Sequence, residues 1–244
     1  MAPPPLIPWK IMAKNQLTHD VIEIIVERPS DLVFKAGQYM SIVIPGAGPG
    51  GRNLRRAYSI ASSPENPKVE LCIKLVESGP GTSYLNSVKV GDHIQAQCPF
   101  GSFYLAHDLA LPTLFIGTGT GIAPFRSMIL SNEWKKNRAA FGFLLGVRDQ
   151  KDILYPEIFP EINPSTEFNE PNVKICISRP AGAWAGYKGR VTDYIKGTLN
   201  ESDWDFAHSH YYLCGSGAML MEVKGFLMQN KSVSKEQIHT EKYY

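Results

Sequence analysis

The sequence predicts two domains in series, an all-β half followed by an α/β half. Three observations carry this. At 244 residues the chain is long enough for two domains of ordinary size. From Thr18 to Gln97 it runs in short β-rich segments broken by Gly, Pro and Asn, the spacing of an antiparallel barrel or sandwich. Beyond Pro112 apolar strand-like runs alternate with helical periodicity, which implies a mainly parallel, doubly wound sheet.

Composition narrows the class. A hydrophobic content of 43% and a charged content of 20% are those of a globular protein, and a formal charge of +2 argues against nucleic acid as a partner. The opening "MAPPPLIPWK" has neither the basic nor the apolar region of a secretion signal, and no apolar run approaches the length of a membrane span. The expected location is cytoplasmic. Cys72, Cys98, Cys176 and Cys214 are widely separated, so no zinc site or iron–sulfur cluster is expected, and reduced, mostly buried thiols are. His208 and His210 are two histidines on one expected strand without further ligands, so no metal is assigned.

In the β half the expected strands are "HDVIEIIVE", "GQYMSIVI", "RAYSIAS", "KVELCIKLV" and "DHIQAQC". Within "NLRRAYSIASSP", residues 53 to 64, Arg56 and Tyr58 share one strand face and Ser59 takes the other, a set suited to an anionic, aromatic guest. "GPGTSYLNSV" interrupts the strands, and its Thr82–Ser83 pair can cap a short helix toward Val88. The domain boundary falls near residues 106 to 112, giving domains of 1–108 and 109–244.

In the α/β half, "TLFIGTG" and "AAFGFLLGV" are strands flanking a helix over "APFRSMILSNEWKK"; "NVKICIS", "HYYLCG" and "QIHTEKYY" supply further strands. "FIGTGTGIAPF", residues 115 to 125, joins the first strand to the first helix, where glycines let the backbone approach a diphosphate and the helix start offers free N–H groups. The spacing is neither the usual dinucleotide fingerprint nor a nucleoside-triphosphate loop, and a plain tight turn is the alternative.

With "RAYS", "GTGTGIAPF" and "YLCGSGAM" in this order and spacing, nearly the whole chain resembles the ferredoxin–NADP(+) reductase family of flavoproteins. The resemblance implies an antiparallel β-barrel that binds FAD, followed by a doubly wound NAD(P)-binding domain. It implies that Arg56 pairs with the flavin pyrophosphate, Tyr58 packs on the isoalloxazine ring and Ser59 hydrogen-bonds near N5, with Ala57 also among the flavin-binding residues. "LCIK" would line the adenosine and phosphate side of FAD, Cys72 and Ile73 through backbone and Lys74 through charge. Gly81, Thr82 and Ser83 would receive the pyrophosphate at a helix start.

The same resemblance places the nicotinamide diphosphate on the turn from Gly117 to Pro124, with Gly117, Thr118 and Gly119 in contact and Thr118 nearest the nicotinamide. Cys214, followed by Gly215 and Met219, would sit beside nicotinamide C4; a buried core thiol is its plain alternative. At the carboxyl end Glu241 would belong to the proton and electron-partner side, and Tyr243 or Tyr244 would cover the flavin. Ser178, Arg179, Lys188 and Arg190, with Arg148 nearby, resemble the 2′-phosphate site of NADPH-using members, although relatives that use NADH share "GVRxxxD" and "GRV".

The implied activity is hydride transfer from NADPH to FAD, then single electrons to ferredoxin or flavodoxin as a separate protein. Two alternatives stand beside it. One is an NAD(P)H reductase serving an oxygenase, free flavin or a quinone; the other is a nonenzymatic electron-transfer subunit of a larger complex. Arg52 and Arg55 would meet an acidic partner or be ordinary loop charges.

Overall fold

The computed structural model describes residues 3–105, 109–137, 140–168 and 170–243. The chain divides into two compact units, Met1–Leu105 with Ala123–Asn132, and Ala106–Ile122 with Glu133–Tyr244.

The first unit holds β1 (Ile7–Thr18), β2 (Val21–Glu27), β3 (Tyr39–Ile44), β4 (Leu54–Ser59), β5 (Lys68–Lys74), α1 (Pro80–Ser87) and β6 (His93–Phe100). The strands pair antiparallel in the order β4-β3-β6-β1-β2-β5. The two end strands of this sheet meet through an isolated antiparallel bridge, Ile60 to Leu71, so the sheet curls into a barrel and the sandwich alternative falls away. Its core is a cluster of inward-facing residues that includes Ile11, Ile24, Met40, Ile42, Ile73 and Ile94.

β1 is a correction to the sequence reading, which began the strands at Thr18. Only Trp9, Ile11 and Thr18 of its twelve residues are buried, and Lys, Pro and Asn dilute the alternation by which a half-buried strand is recognised. A second correction concerns α1. Thr82 and Ser83 lie inside its first turn; Gly79 occupies the cap position, and Pro80 opens the helix with a φ already helical. The Thr82 hydroxyl donates back to the carbonyls of Val76 at 2.8 Å and Gly79 at 3.0 Å.

The second unit is built on β7 (Thr113–Thr118), β8 (Phe141–Val147), β9 (Val173–Ile177), β10 (Tyr187–Lys188), β11 (His210–Ser216) and β12 (Ile238–Tyr243), all parallel, in the order β10-β9-β8-β7-β11-β12. Every residue of β8 is buried, as expected of a strand covered on both faces. α4 (Val191–Gly197) and α5 (Gly217–Asn230) pack against this sheet. The helix expected over "APFRSMILSNEWKK" is broken at Ser131 into α2 (Ile122–Leu130) and α3 (Asn132–Asn137); the Ser131 hydroxyl and amide both turn back to the Met128 carbonyl. Among the described residues no helix is long and apolar enough to cross a membrane.

Candidate functional site

In the first unit the site grows from the end strand β4. Tyr58, Arg56 and Leu54 stand opposite Met40, Ile42 and Ile44 of β3 and share their face, whereas Ser59 stands opposite Tyr39 on the other face. Arg56 is exposed; its guanidinium donates to the Arg55 carbonyl at 2.9 Å, and no carboxylate pairs with it among the described residues. Burial pushes the Tyr58 phenol up to about 12, with the Arg56 charge pulling the other way, so it is a neutral ring at any working pH.

α1 meets this face at Gly81. A Cβ there would lie 3.1 Å from both Arg56 Cγ and Tyr58 Oη, a close approach that any larger residue would relieve only by shifting these two side chains. Gly81 and Thr82 sit in the first turn, where amides lack helical acceptors; the Ser83 amide is already spent on the Gly79 carbonyl at 2.9 Å, which leaves its exposed hydroxyl. A guanidinium that no carboxylate neutralises among the described residues, a helix start and a flat ring therefore converge, and this donor set fits a flavin with a pyrophosphate tail.

β4 and β5 pair with each other through the Ile60–Leu71 bridge, and Cys72, Ile73 and Lys74 lie just beyond it on β5. The Lys74 ammonium is engaged by the Asp20 carboxylate. Burial raises the Asp20 pKa, but its hydrogen bond to Lys74 and the charges of Lys74 and His19 outweigh this and hold it below the ordinary value. Lys74 therefore meets a ligand as a charge already paired. Arg55, for which the sequence offered only partner or loop roles, reaches across the sheet to the Gln97 side chain.

In the second unit the chain order runs from β7 through β8 and β9 to one side and then crosses to β11 and β12 on the other. β7 and β11 are neighbours, so their C-terminal ends form the topological switch point where ligands of open α/β sheets bind. Thr118 and Gly119 lead directly from β7 into this crevice. The sequence reading did not single out Gly121, yet a Cβ on it would lie 2.3 Å from the Cys214 carbonyl oxygen. Gly215, at φ +140, would place a Cβ 2.2 Å from Thr118 Oγ1. The Thr118 hydroxyl accepts from the Ser216 amide at 3.1 Å, locking the two strand ends together. The alternating glycines of "GTGTG" were the signal for Gly121.

Cys214 is fully buried on β11, opposite Glu241 of β12, and Ser216 stands opposite Tyr243. Burial, then the Glu241 charge, hold the Cys214 thiol well above its ordinary pKa, against a hydrogen bond from the Tyr243 side chain. Cys214, Glu241 and Tyr243 thus form one group. Met219 is buried in the first turn of α5, where its amide donates to the Ser216 hydroxyl at 3.3 Å. Tyr244 lies outside the described residues.

The basic group also assembles on one side of the sheet. The Ser178 amide bonds the Val147 carbonyl at 3.1 Å and the Arg179 amide the Arg148 carbonyl at 2.8 Å, setting Arg148, Ser178 and Arg179 side by side at the ends of β8 and β9. Lys188 stands opposite Ile177, and the exposed Arg190 precedes α4. None of these four cations is paired with a carboxylate among the described residues. Asp149 shapes the loop that follows: it accepts from the amides of Ala181 at 3.1 Å and Gln150 at 2.7 Å, and the Ala181 bond is the main cause of its lowered pKa. The histidines are arranged otherwise than expected. His208 lies outside the strands and pairs with Asp205, while His210 meets His239, nitrogen to nitrogen, at 3.2 Å. No group of three metal-ligating side chains occurs among the described residues.

Residues 8–104 match the oxidoreductase FAD-binding domain and residues 115–225 the oxidoreductase NAD-binding domain. The chain is 30% identical over 240 residues to ferredoxin–NADP reductase B of Sorangium cellulosum, covering 96% of each. It is 30% identical over 228 residues to the reductase component of phenol 2-monooxygenase from a Pseudomonas species, covering 91% of this chain but 61% of that one. Its fold is that of a ferredoxin–NADP(+) reductase from Neisseria gonorrhoeae solved with FAD and NADP, at a TM-score of 0.80 and 19% identity over 98% of this chain and 99% of that one. These matches show that the chain belongs to the ferredoxin–NADP reductase family, flavin oxidoreductases that bind FAD and a nicotinamide dinucleotide.

Proposed function

We propose that this protein takes hydride from NADPH onto FAD and delivers single electrons to a ferredoxin, with flavodoxin as a second acceptor, in the cytoplasm. The observation that carries this reading is the convergence of Arg56, Tyr58 and the α1 start at Gly81, a donor set that suits the pyrophosphate and ring of FAD. End-to-end similarity to a ferredoxin–NADP reductase favours a carrier protein as acceptor. When bound, FAD supplies a centre that accepts an electron pair and gives electrons up one at a time.

In this reading domains 1–108 and 109–244 hold the flavin and the nicotinamide dinucleotide. Arg56 and the Gly81 and Thr82 amides, with the Ser83 hydroxyl, neutralise the pyrophosphate. Tyr58 supports the ring, Ser59 directs a hydroxyl at N5, and Ala57, Cys72 and Ile73 give backbone contacts beside the paired Lys74. Gly117, Thr118, Gly119 and Gly121 hold the second diphosphate. Arg148, Ser178, Arg179, Lys188 and Arg190 take the 2′-phosphate, which favours NADPH over NADH.

Cys214, uncharged and small, leaves room for a nicotinamide ring beside Gly215 and Met219. Glu241 supplies a negative charge next to it, and Tyr243 closes the same side. A second reading, reductase component of an oxygenase, is favoured by the similarity to such components, which are longer than this chain. Turnover compared among ferredoxin, flavodoxin, free FMN and a quinone tests the choice: the proposal requires a carrier protein to be reduced fastest, and a large preference for free flavin or quinone contradicts it.

A further inference from the structure

The turn that follows Ser59 is held by a part-buried ionic clamp. Arg126 lies in Ala123–Asn132, the part of the chain that groups with the first unit. Its Nη1 donates to the Ala61 carbonyl at 3.0 Å and to Glu70 Oε2 at 2.5 Å, with the two side chains 15% and 14% exposed. Beside it the buried Ser127 hydroxyl donates to the Ser62 carbonyl at 2.6 Å. Glu70 is fixed in turn: Asn66 donates to its Oε1 at 3.1 Å, its carbonyl accepts from the Ala61 amide at 2.8 Å, and its amide donates to the Ser62 hydroxyl at 3.1 Å. One residue nearer β4, the Ile60 amide is tied to the Gln38 carbonyl at 3.0 Å.

The chain leaves the β4 ladder at this point, so the carbonyls of residues 61 and 62 depend on side chains for their partners. Arg126 and Ser127 supply them, and both belong to the helix that opens directly after the glycine turn. A surface ion pair would hold little; this one is sheltered, and it fixes main chain two residues from the hydroxyl assigned to flavin N5.

We propose that Arg126 is a positioning residue for the flavin chemistry: through Ala61 and Glu70 it fixes the direction in which Ser59 presents its hydroxyl. This rests on the reading of Ser59 above. A lysine at 126 keeps the charge on a stem one bond shorter and without the planar fork, so it holds the two acceptors less firmly.

The test compares Ser59→Ala, Arg126→Lys and the double variant as holoenzymes. It reads the rate constant of flavin reduction at saturating NADPH, the NADPH dissociation constant, and amide hydrogen exchange over residues 57–63. Losing an aligned donor at a reacting centre costs on the order of 100-fold for Ser59→Ala; loss of its alignment costs about tenfold for Arg126→Lys. The NADPH dissociation constant stays within about twofold, and exchange at residues 60–62 quickens about tenfold in Arg126→Lys. The double variant is no slower than Ser59→Ala, because Arg126 acts through the missing hydroxyl.

A wild-type rate in Arg126→Lys beside a slow Ser59→Ala overturns the proposal alone, as do losses that multiply in the double variant. A wild-type rate in Ser59→Ala removes the Ser59 assignment and the proposal with it. If Arg126→Lys does not fold or retain flavin, Arg126→Met with Glu70→Gln removes both charges together. Slowed reduction in that pair-free enzyme supports the proposal, and a wild-type rate overturns it.

Discussion

Replacing Gly121 with alanine tests the crevice between β7 and β11. The added Cβ would stand 2.3 Å from the Cys214 carbonyl oxygen, 2.7 Å from its carbon and 3.1 Å from Gly215 Cα. Ordinary carbon contacts begin at about 3.5 Å, so the overlap is on the order of 1 Å. Every clashing atom is backbone, so no side chain can rotate away and the strand ends must part. Overpacking of this kind costs about 1–3 kcal/mol, and a backbone clash belongs at the upper end. For a chain of this size that lowers Tm by roughly 6–12 °C, and a comparable loss at the ligand weakens NADP binding roughly 10- to 100-fold. Gly119→Ala is the control: nothing lies within 4 Å of its Cβ, and a φ of +53 costs about 1–2 kcal/mol through strain alone. The assay is thermal unfolding with an NADP difference-spectrum titration and a flavin content measurement. The reasoning is refuted if Gly121→Ala matches wild type in both Tm and NADP affinity, or loses FAD while keeping NADP.

Arg56→Ala removes charge-assisted bonds worth about 1.5–3 kcal/mol; FAD should bind roughly 10- to 100-fold more weakly by equilibrium dialysis, with the apoprotein's Tm nearly unchanged. Ser178→Ala with Arg179→Ala should raise KM for NADPH while leaving NADH kinetics nearly as they were, and equal losses for both cofactors would contradict the 2′-phosphate assignment. Burial, then the neighbouring His210, lower the His239 pKa to about 4, below the ordinary value of 6.5. The unfolded chain therefore takes up the proton first, and the contribution to stability is full above pH 6.5 and lost as pH falls toward 4. His239→Gln should flatten the fall in urea midpoint between pH 7 and pH 4.5; an unchanged slope would show that another group titrates there.

The placement of several candidate residues was legible because it carries local signatures. That Arg56 and Tyr58 share one strand face and Ser59 takes the other follows from strand alternation, and the glycine turn from its place between a strand and a helix. What the sequence concealed depends on partners distant along the chain. β1 hid because one of its faces is polar and pairing holds it in the sheet. The role of Gly121 lies in a carbonyl 93 residues further on, and that of Arg126 in a carboxylate 56 residues back. Lys74 read as a free charge because its counter-ion, Asp20, sits on a turn 54 residues earlier. His210 was matched with the nearer His208, whereas parallel pairing of β11 with β12 delivers His239.

The central claim is that one chain holds a flavin dinucleotide at Arg56, Tyr58 and Gly81 and reduces it with a nicotinamide dinucleotide bound at the β7–β11 crevice. An anaerobic visible-spectrum titration of the purified, FAD-reconstituted protein tests it most directly. The account predicts a bound flavin that bleaches with about one equivalent of NADPH per chain, more readily than with NADH, and that is released as FAD on denaturation. A protein that stays colourless after reconstitution, or whose flavin neither nicotinamide cofactor reduces, would contradict it.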